Sequence, residues 1–280
     1  MSTVSSGSLR RVVRGVAELP LIRSLAKPVY RQLFSRDVLP GNSYCGVFAS
    51  VDEARANAPE SLPTSFDFVQ SGDLYNDRLD SVVGTDYPIL FWLSQLFAAG
   101  CRTVFDLGGN VGTSYYGFRH HLDYPEGVRW LIHDVPMVVE AGRRRAERHD
   151  PERKLQFTGR REDVDGSDIL LCGGVLQYLD YTLAELLRDV PDPPRHILVN
   201  MTPLHPEHSF VTLQRVTHHG AGIANCPYRI ASVAEFIAGT ASAGYAVVDQ
   251  WQSFERYVRI PFEPAHAVDC YYGFHLRRSD

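Results

Sequence analysis

Residues 103–112, TVFDLGGNVG, with TSYY (113–116) behind them, decide the fold. Thr103–Leu107 is a short apolar run rich in β-branched and aromatic residues, the composition of a strand. Gly108, Gly109 and Gly112 then let the backbone turn sharply and let a ligand approach without a Cβ in the way. Thr113–Tyr116 opens a helix, and its first N–H groups lack partners in the helix itself. Strand, glycine loop and helix in this order form the ligand-binding end of a doubly wound sheet. The spacing is not the dinucleotide fingerprint G-x-G-x-x-G. It is Asp106-x-Gly108-Gly109-x-x-Gly112. A carboxylate two residues before the first glycine repels a pyrophosphate but can hold a cation such as an α-ammonium group. The plainer alternative is a turn aspartate.

Outward from this loop, apolar runs alternate with helical stretches: 103–107, 128–134, 155–159, 168–173 and 196–200. Continuous apolar strands separated by helices predict a parallel sheet covered on both faces. Upstream, 86–99 (DYPILFWLSQLFAA) reads as a buried helix, with Asp86 as N-cap and Gly100 just past its end. Downstream come a helix over 232–243 and two strands, 245–251 and 270–278, with no helix between them. Those two strands are expected to pair antiparallel. The predicted class is therefore α/β, a doubly wound and mostly parallel sheet. Residues 1–85 are expected to form a helical segment or cap, and 86–280 the ligand-binding domain. Within the first segment, 9–36 has a helical pattern interrupted by Pro20 and Pro28, and 41–66 reads as a connection with one short helix near 50–57.

Composition narrows the function. The chain has 280 residues, 44% hydrophobic and 22% charged, the balance of a globular protein. No run of about 18 apolar residues is present, and the start lacks the pattern of a secretory leader. Net charge is −5, unevenly placed. Residues 1–40 carry seven basic and two acidic groups, which is +5, so the other 240 sum to −10. An acidic body argues against a nucleic-acid partner. The five cysteines, 45, 101, 172, 226 and 270, include no C-x-x-C and fit reduced thiols in a cytoplasmic protein.

A second acid completes the constellation. Asp134 ends the second run, LIHD, 22 residues after Gly112 (134 − 112). At that place a carboxylate can accept both hydroxyls of a ribose. With VFDLGGNVG (104–112), LIHD (131–134) and DILLCGGVLQYL (168–179), the chain resembles the class I S-adenosyl-L-methionine (SAM)-dependent methyltransferases over about 86–278. The resemblance implies seven strands with a terminal antiparallel hairpin, and SAM as cofactor. It places the SAM methionine end near Asp106, Gly108, Gly109, Asn110 and Gly112, and the ribose on Asp134. It places adenine near Arg161, Glu162 or Asp163, with Gly173 at the end of the fourth strand. TPL (202–204), TLQ (212–214), CPYRI (226–230), EFI (235–237), GYAVVDQW (244–251), YYGFHLRR (271–278) and YCGVFASVDEARANAP (44–59) are similar to a narrower bacterial methyltransferase family, with Val51 where a tryptophan is common.

Methyl transfer needs an aligned nucleophile and often a general base. The acceptor is expected outside the ends of the fourth and fifth strands. Tyr178, Asn200, His205 and His208 are the candidate catalytic residues there, the histidines because they change charge near neutral pH. Solvated loop histidines, or an asparagine that satisfies backbone, are the plainer readings. His205, Glu207 and His208 match no standard zinc spacing, so no metal is expected. Arg229 is a candidate carboxylate clamp or a structural ion pair. Tyr115 or Tyr116 is a candidate wall for the SAM methionine moiety. The expected partner is a small-molecule acceptor of natural-product or glycan-precursor type. Aminocarboxypropyl transfer, intramolecular cyclisation of SAM with release of methylthioadenosine, and a non-catalytic partner subunit stay open. The N-terminal segment is expected to pack on the body or on a second subunit of a homodimer. A membrane surface is the less favoured partner, because the prolines would break its apolar face.

Overall fold

Apolar runs of four to six residues between helix-forming stretches become strands, and the computed structural model describes residues 20–39, 41–68, 72–219 and 221–279. In chain order the elements are α1 (Pro20–Ser35), β1 (Ser43–Phe48), α2 (Val51–Ala56), α3 (Tyr87–Ala98), β2 (Thr103–Leu107), α4 (Thr113–Phe118), β3 (Arg129–His133), α5 (Pro136–His149), β4 (Leu155–Thr158), β5 (Ile169–Gly173), α6 (Leu183–Arg188), β6 (His196–His205), β7 (Phe210–His218), β8 (Ala221–Ser232), α7 (Val233–Ser242), β9 (Tyr245–Ser253) and β10 (Tyr271–Arg278).

The chain divides into two compact units. The larger comprises Ser65–Ser209, Arg229–Tyr257 and Val268–Asp280. Its sheet runs in the order β4-β3-β2-β5-β6-β10-β9. The first five of these strands are parallel, and β10 is antiparallel to both β6 and β9. This is the doubly wound α/β class expected from the sequence, including the antiparallel terminal hairpin. Strand periodicity divides the core. Val104, Trp130, Ile132, Ile169, Leu171 and Leu198 pack with α3, α4 and α5 on one face. Phe105, Leu107, Leu170, Cys172, Ile197, Val199 and Phe274 pack with α6 on the other. Gly100 takes φ 102 just past α3, as expected of a helix stop. Asp86 does not cap α3 with its side chain. Its carboxylate reaches back to the Val83 N–H and the Arg78 guanidinium.

One strand departs from the expectation. The fifth run was expected to end at Asn200, with Pro203-Leu204-His205 in a loop. Instead β6 continues to His205. Met201 takes a left-handed φ of 55, and the β6–β10 register shifts between Tyr272 and Phe274. Such a bulge absorbs one residue without ending the strand. Beyond it, Leu204 and His205 pair with Ala231 and Ser232.

The smaller unit comprises residues up to Thr64 with Phe210–Tyr228 and Val258–Ala267. There β1 pairs antiparallel with β7, and β8 lies on the other side of β7. The segment read as a connection over 41–66 thus holds a strand as well as the short helix. Phe34 of α1 is buried against Ala54, Val211 and Leu213. Tyr30 donates to the Tyr44 carbonyl at 2.9 Å, and Arg215, 2% exposed, is paired with Asp37. α1 runs unbroken through Pro28, against the expectation of an interruption. Pro28 and Ser24, whose carbonyl loses its helical donor, are both exposed, so water can take that donor's place. Residues 1–19, which carry the rest of the N-terminal pattern, lie outside the described residues.

Candidate functional site

The site is built where β2 turns into α4, and all the selected residues belong to the larger unit. Gly108 takes φ 71 and donates its N–H to the His133 carbonyl at 2.8 Å. A Cβ there would lie 2.4 Å from Val175 Cγ2. Gly109 crosses directly above Asp106, where a Cβ would lie 2.5 Å from Oδ2. Glycine is thus required at both positions, by backbone conformation at the first and by close approach at both. Asn110 is also left-handed, at φ 53, and its N–H donates to Asp134 Oδ2 at 2.9 Å. Gly112, at φ 101, precedes α4.

The two acids have different surroundings. Asp106 is 1% exposed and accepts the Trp130 indole N–H at 3.0 Å. Burial pushes its carboxyl up to about 7; the Trp130 bond opposes this and the charge of Asp134 adds to it. Asp106 therefore sits beneath the loop, where burial leaves it only part-ionised near neutral pH. Asp134 is partly exposed just past β3. Its Oδ1 accepts the Val135 N–H at 2.8 Å, so each oxygen holds one backbone amide. Burial raises this carboxyl to about 6, the two amides opposing and Asp67 adding. Among the described residues neither acid has a Lys or Arg ion pair. An ionised carboxylate offers about four lone-pair sites, so Asp134 keeps one on each oxygen.

Past β4, Arg161–Val164 forms a short 3-10 turn. Glu162 is exposed. Asp163 accepts the Thr158 hydroxyl at 2.6 Å. Arg161 lies over the Tyr181 ring at 4.5 Å. At the end of β5, a Cβ on Gly173 would meet open space, and Gly174 donates to the Asn200 carbonyl at 2.9 Å.

The catalytic candidates separate. Asn200 is 3% exposed and committed on both sides: Nδ2 donates to the Thr85 carbonyl at 2.9 Å and Oδ1 accepts the Trp251 indole at 3.1 Å. It fixes β6 just before the bulge at Met201. His205 is buried, and its Nδ1 accepts the Glu207 and His208 amides at 3.0 and 2.9 Å, closing a turn. His208 is stacked on it, ring centroids 5.1 Å apart, with an exposed side chain. Tyr178 meets Phe66 edge to face at 5.0 Å. Arg229 donates to the Asp180 carbonyl. Tyr115 and Tyr116 are both buried in the core, where Tyr115 donates to Asp150, so neither is a free wall for a ligand.

Sequence reasoning misses two groups beside these. Gln177 is 5% exposed, donates from Nε2 to the Gly174 carbonyl at 2.7 Å, and leaves Oε1 buried without a hydrogen bond. Asp67 accepts the Met137 N–H at the start of α5 at 3.0 Å. Gln177 stood in the GGVLQYL run and was legible as a neighbour of Tyr178. Asp67 had no signal, since it reaches α5 across 70 residues of sequence.

No protein-family model matches this chain, and no curated protein does. Among solved structures it is similar to the 1,6-didemethyltoxoflavin-N1-methyltransferase of Burkholderia thailandensis, solved with 1,6-didemethyltoxoflavin and S-adenosylhomocysteine (16% identity, 70% of this chain and 79% of that chain, TM-score 0.45). It is similar also to the N-terminal domain of EvdMO1 with SAH bound (16%, 79% and 92%, TM-score 0.48). A third similar structure is the CcbJ methyltransferase from Streptomyces caelestis (16%, 71% and 98%, TM-score 0.47).

Proposed function

We propose that the chain is a class I SAM-dependent methyltransferase acting on a small-molecule acceptor in biosynthesis. One observation carries this reading: Asp134, at the end of β3, is tied to the glycine loop by the Asn110 amide and keeps an acceptor site on each oxygen. Paired hydroxyls of a ribose match that pattern. The loop suits the methionine end of the same ligand. Gly108 and Gly109 bring backbone where no Cβ fits, and buried Asp106 would ionise beside a cationic group. Two carboxyls raised by burial, with no Lys or Arg ion pair among the described residues, favour a ligand that brings positive charge and hydroxyl donors.

SAM, when bound, supplies an electrophilic methyl on a sulfonium. The chain's own groups would then act by position. Asp134 orients the ribose, and Glu162 with Asp163 stands on the adenine side. The Gly173–Tyr178 turn borders the acceptor side, with Gly173 leaving space there. His208, whose exposed side chain lies 3.6 Å from Glu207, is the candidate for moving an acceptor proton. The narrower bacterial family stays the finer form of this reading, resting on the TPL, PYRI and DQW motifs.

The test is incubation of purified protein with SAM, alone and with candidate hydroxyl and amine acceptors, and identification of the released nucleoside by mass spectrometry. Acceptor-dependent S-adenosylhomocysteine is expected. Enzyme-dependent methylthioadenosine would move the reaction to the aminocarboxypropyl carbon or to cyclisation. Absence of SAM binding by calorimetry would overturn the reading altogether.

A further inference from the structure

Two arginines of the larger unit converge on one buried tyrosine. The guanidinium groups of Arg119, just past α4, and Arg145, in α5, lie over the Tyr116 ring, 5.1 and 5.4 Å from its centroid. Among the described residues neither makes an ion pair. Their neighbours on α5 differ: Arg143 donates to the Phe157 carbonyl, and Arg144 pairs with Glu140 at 2.7 Å. The face of an aromatic ring attracts a cation but does not neutralise it. Asp150 acts on the same tyrosine, yet its Oδ1 takes the Tyr115 hydroxyl and its Oδ2 the Leu155 amide. Two cations against one acid leave a positive charge over.

Hydrogen bonding is incomplete at the same place. Tyr116 is 2% exposed and its hydroxyl has no partner, and the buried Nε of Arg145 has none either. A buried donor left unpaired carries its full desolvation cost. Burial raises the Tyr116 hydroxyl above its ordinary range, with Asp150 adding and the two arginines opposing, so it stays protonated and can donate. A guanidinium can only donate. These groups share one complement, an acceptor that carries negative charge. A carboxylate offers two oxygens in one plane. A phosphate offers three, spread as a pyramid, which suits two guanidinium forks and a hydroxyl approaching from different sides. Arg119 is exposed, so it can turn from the ring to an arriving anion and uncover the hydroxyl.

We propose that Arg119, Arg145 and the Tyr116 hydroxyl form a binding site for a phosphate group. The Tyr116 ring also lies against Gly112, where a Cβ would come 2.9 Å from Cε2, so the site backs onto the glycine loop.

Inorganic phosphate and pyrophosphate would be titrated into the full-length protein by calorimetry, at fixed ionic strength with chloride as the balancing anion. Saturable binding is expected. Arg119→Gln and Arg145→Gln should each weaken it at least about tenfold, the loss of a charge-assisted contact. Tyr116→Phe keeps the ring and should weaken it about threefold or more. Arg144→Gln makes the same change of charge one residue along α5 and should change affinity by less than about twofold. Circular dichroism would check that each variant keeps its fold. Phosphatidylcholine vesicles with and without phosphatidic acid distinguish the source of the group. Phosphate binding without flotation supports the site with a soluble phosphate compound as its ligand. Flotation only with phosphatidic acid, lost in Arg145→Gln, supports it with a lipid headgroup. Absence of saturable binding of both phosphate probes would overturn the proposal, as would equal weakening by Arg144→Gln and Arg145→Gln.

Discussion

Replacing Asp134 with asparagine should move stability and binding in opposite directions. Burial holds the native carboxyl at about 6, whereas in the unfolded chain it titrates near about 3.9. A gap of about two pK units corresponds to about 3 kcal/mol. The unfolded chain gives up its proton first, so between about pH 4 and pH 6 the native state binds more protons and stability falls as pH rises. The penalty is absent below the unfolded value and complete above the folded one. Asparagine removes the charge but keeps one carbonyl oxygen. One of the two amides on Asp134, that of Asn110 or Val135, then loses its partner, a loss of about 1–2 kcal/mol. The variant should therefore be about 1 kcal/mol more stable near about pH 7.5, a rise in melting temperature of about 2 °C. Near about pH 4, where the native carboxyl is neutral, it should be less stable by about 1–2 kcal/mol.

Binding should go the other way. The ribose would lose a charge-assisted acceptor, about 1.5–3 kcal/mol, so affinity for S-adenosylhomocysteine should fall about 10- to 100-fold. Thermal melts at the two pH values and calorimetry with S-adenosylhomocysteine measure both effects. A lower melting temperature near neutral pH together with unchanged affinity would refute the reasoning, because Asp134 would then be a structural cap and nothing more.

Gly108→Ala would force a Cβ to 2.4 Å from Val175 at a φ of 71, so denaturation should show a loss of roughly 2–4 kcal/mol, and an unchanged midpoint would contradict the loop geometry. Asn200→Ala strips partners from the Thr85 carbonyl and the Trp251 indole; stability should drop by about 2–4 kcal/mol, while S-adenosylhomocysteine affinity at 25 °C stays within about twofold. His275 contacts His196 at 3.1 Å, and burial, with His196 adding, lowers it to about 4. It stays neutral in the native state where an unfolded histidine, near about 6.5, is already charged, so stability is lost as pH falls from about 6.5 toward 4, by up to about 3 kcal/mol. Melting curves of wild type and His275→Phe across that range should diverge at the acid end, and parallel curves would exclude this histidine as the source.

Periodicity and glycine spacing are local signals, and what they control was legible. The runs 103–107 and 168–173 became β2 and β5 within a residue, and the terminal hairpin paired antiparallel as expected. The glycine loop was legible because its constraint is local, and only glycine meets both the left-handed conformation and the close approach of Val175 at Gly108. The strands β1, β7 and β8 were missed for the opposite reason. Tyr44 and Cys45 pair with Gln214 and Leu213, about 170 residues on, and neither strand announces its partner in its own composition. Polar candidates fail in the same way. Asn200 at a strand end reads as a ligand group until Thr85 and Trp251, 115 and 51 residues away, are found to hold both ends of its amide. Asp106 and Asp134 looked alike in sequence, each an acid at the tip of an apolar run. Their difference arises only when Gly109 closes over the first and leaves the second with a lone pair to spare on each oxygen. In this site sequence supplies the chemistry available, and long-range partners decide which of those groups is free to use it.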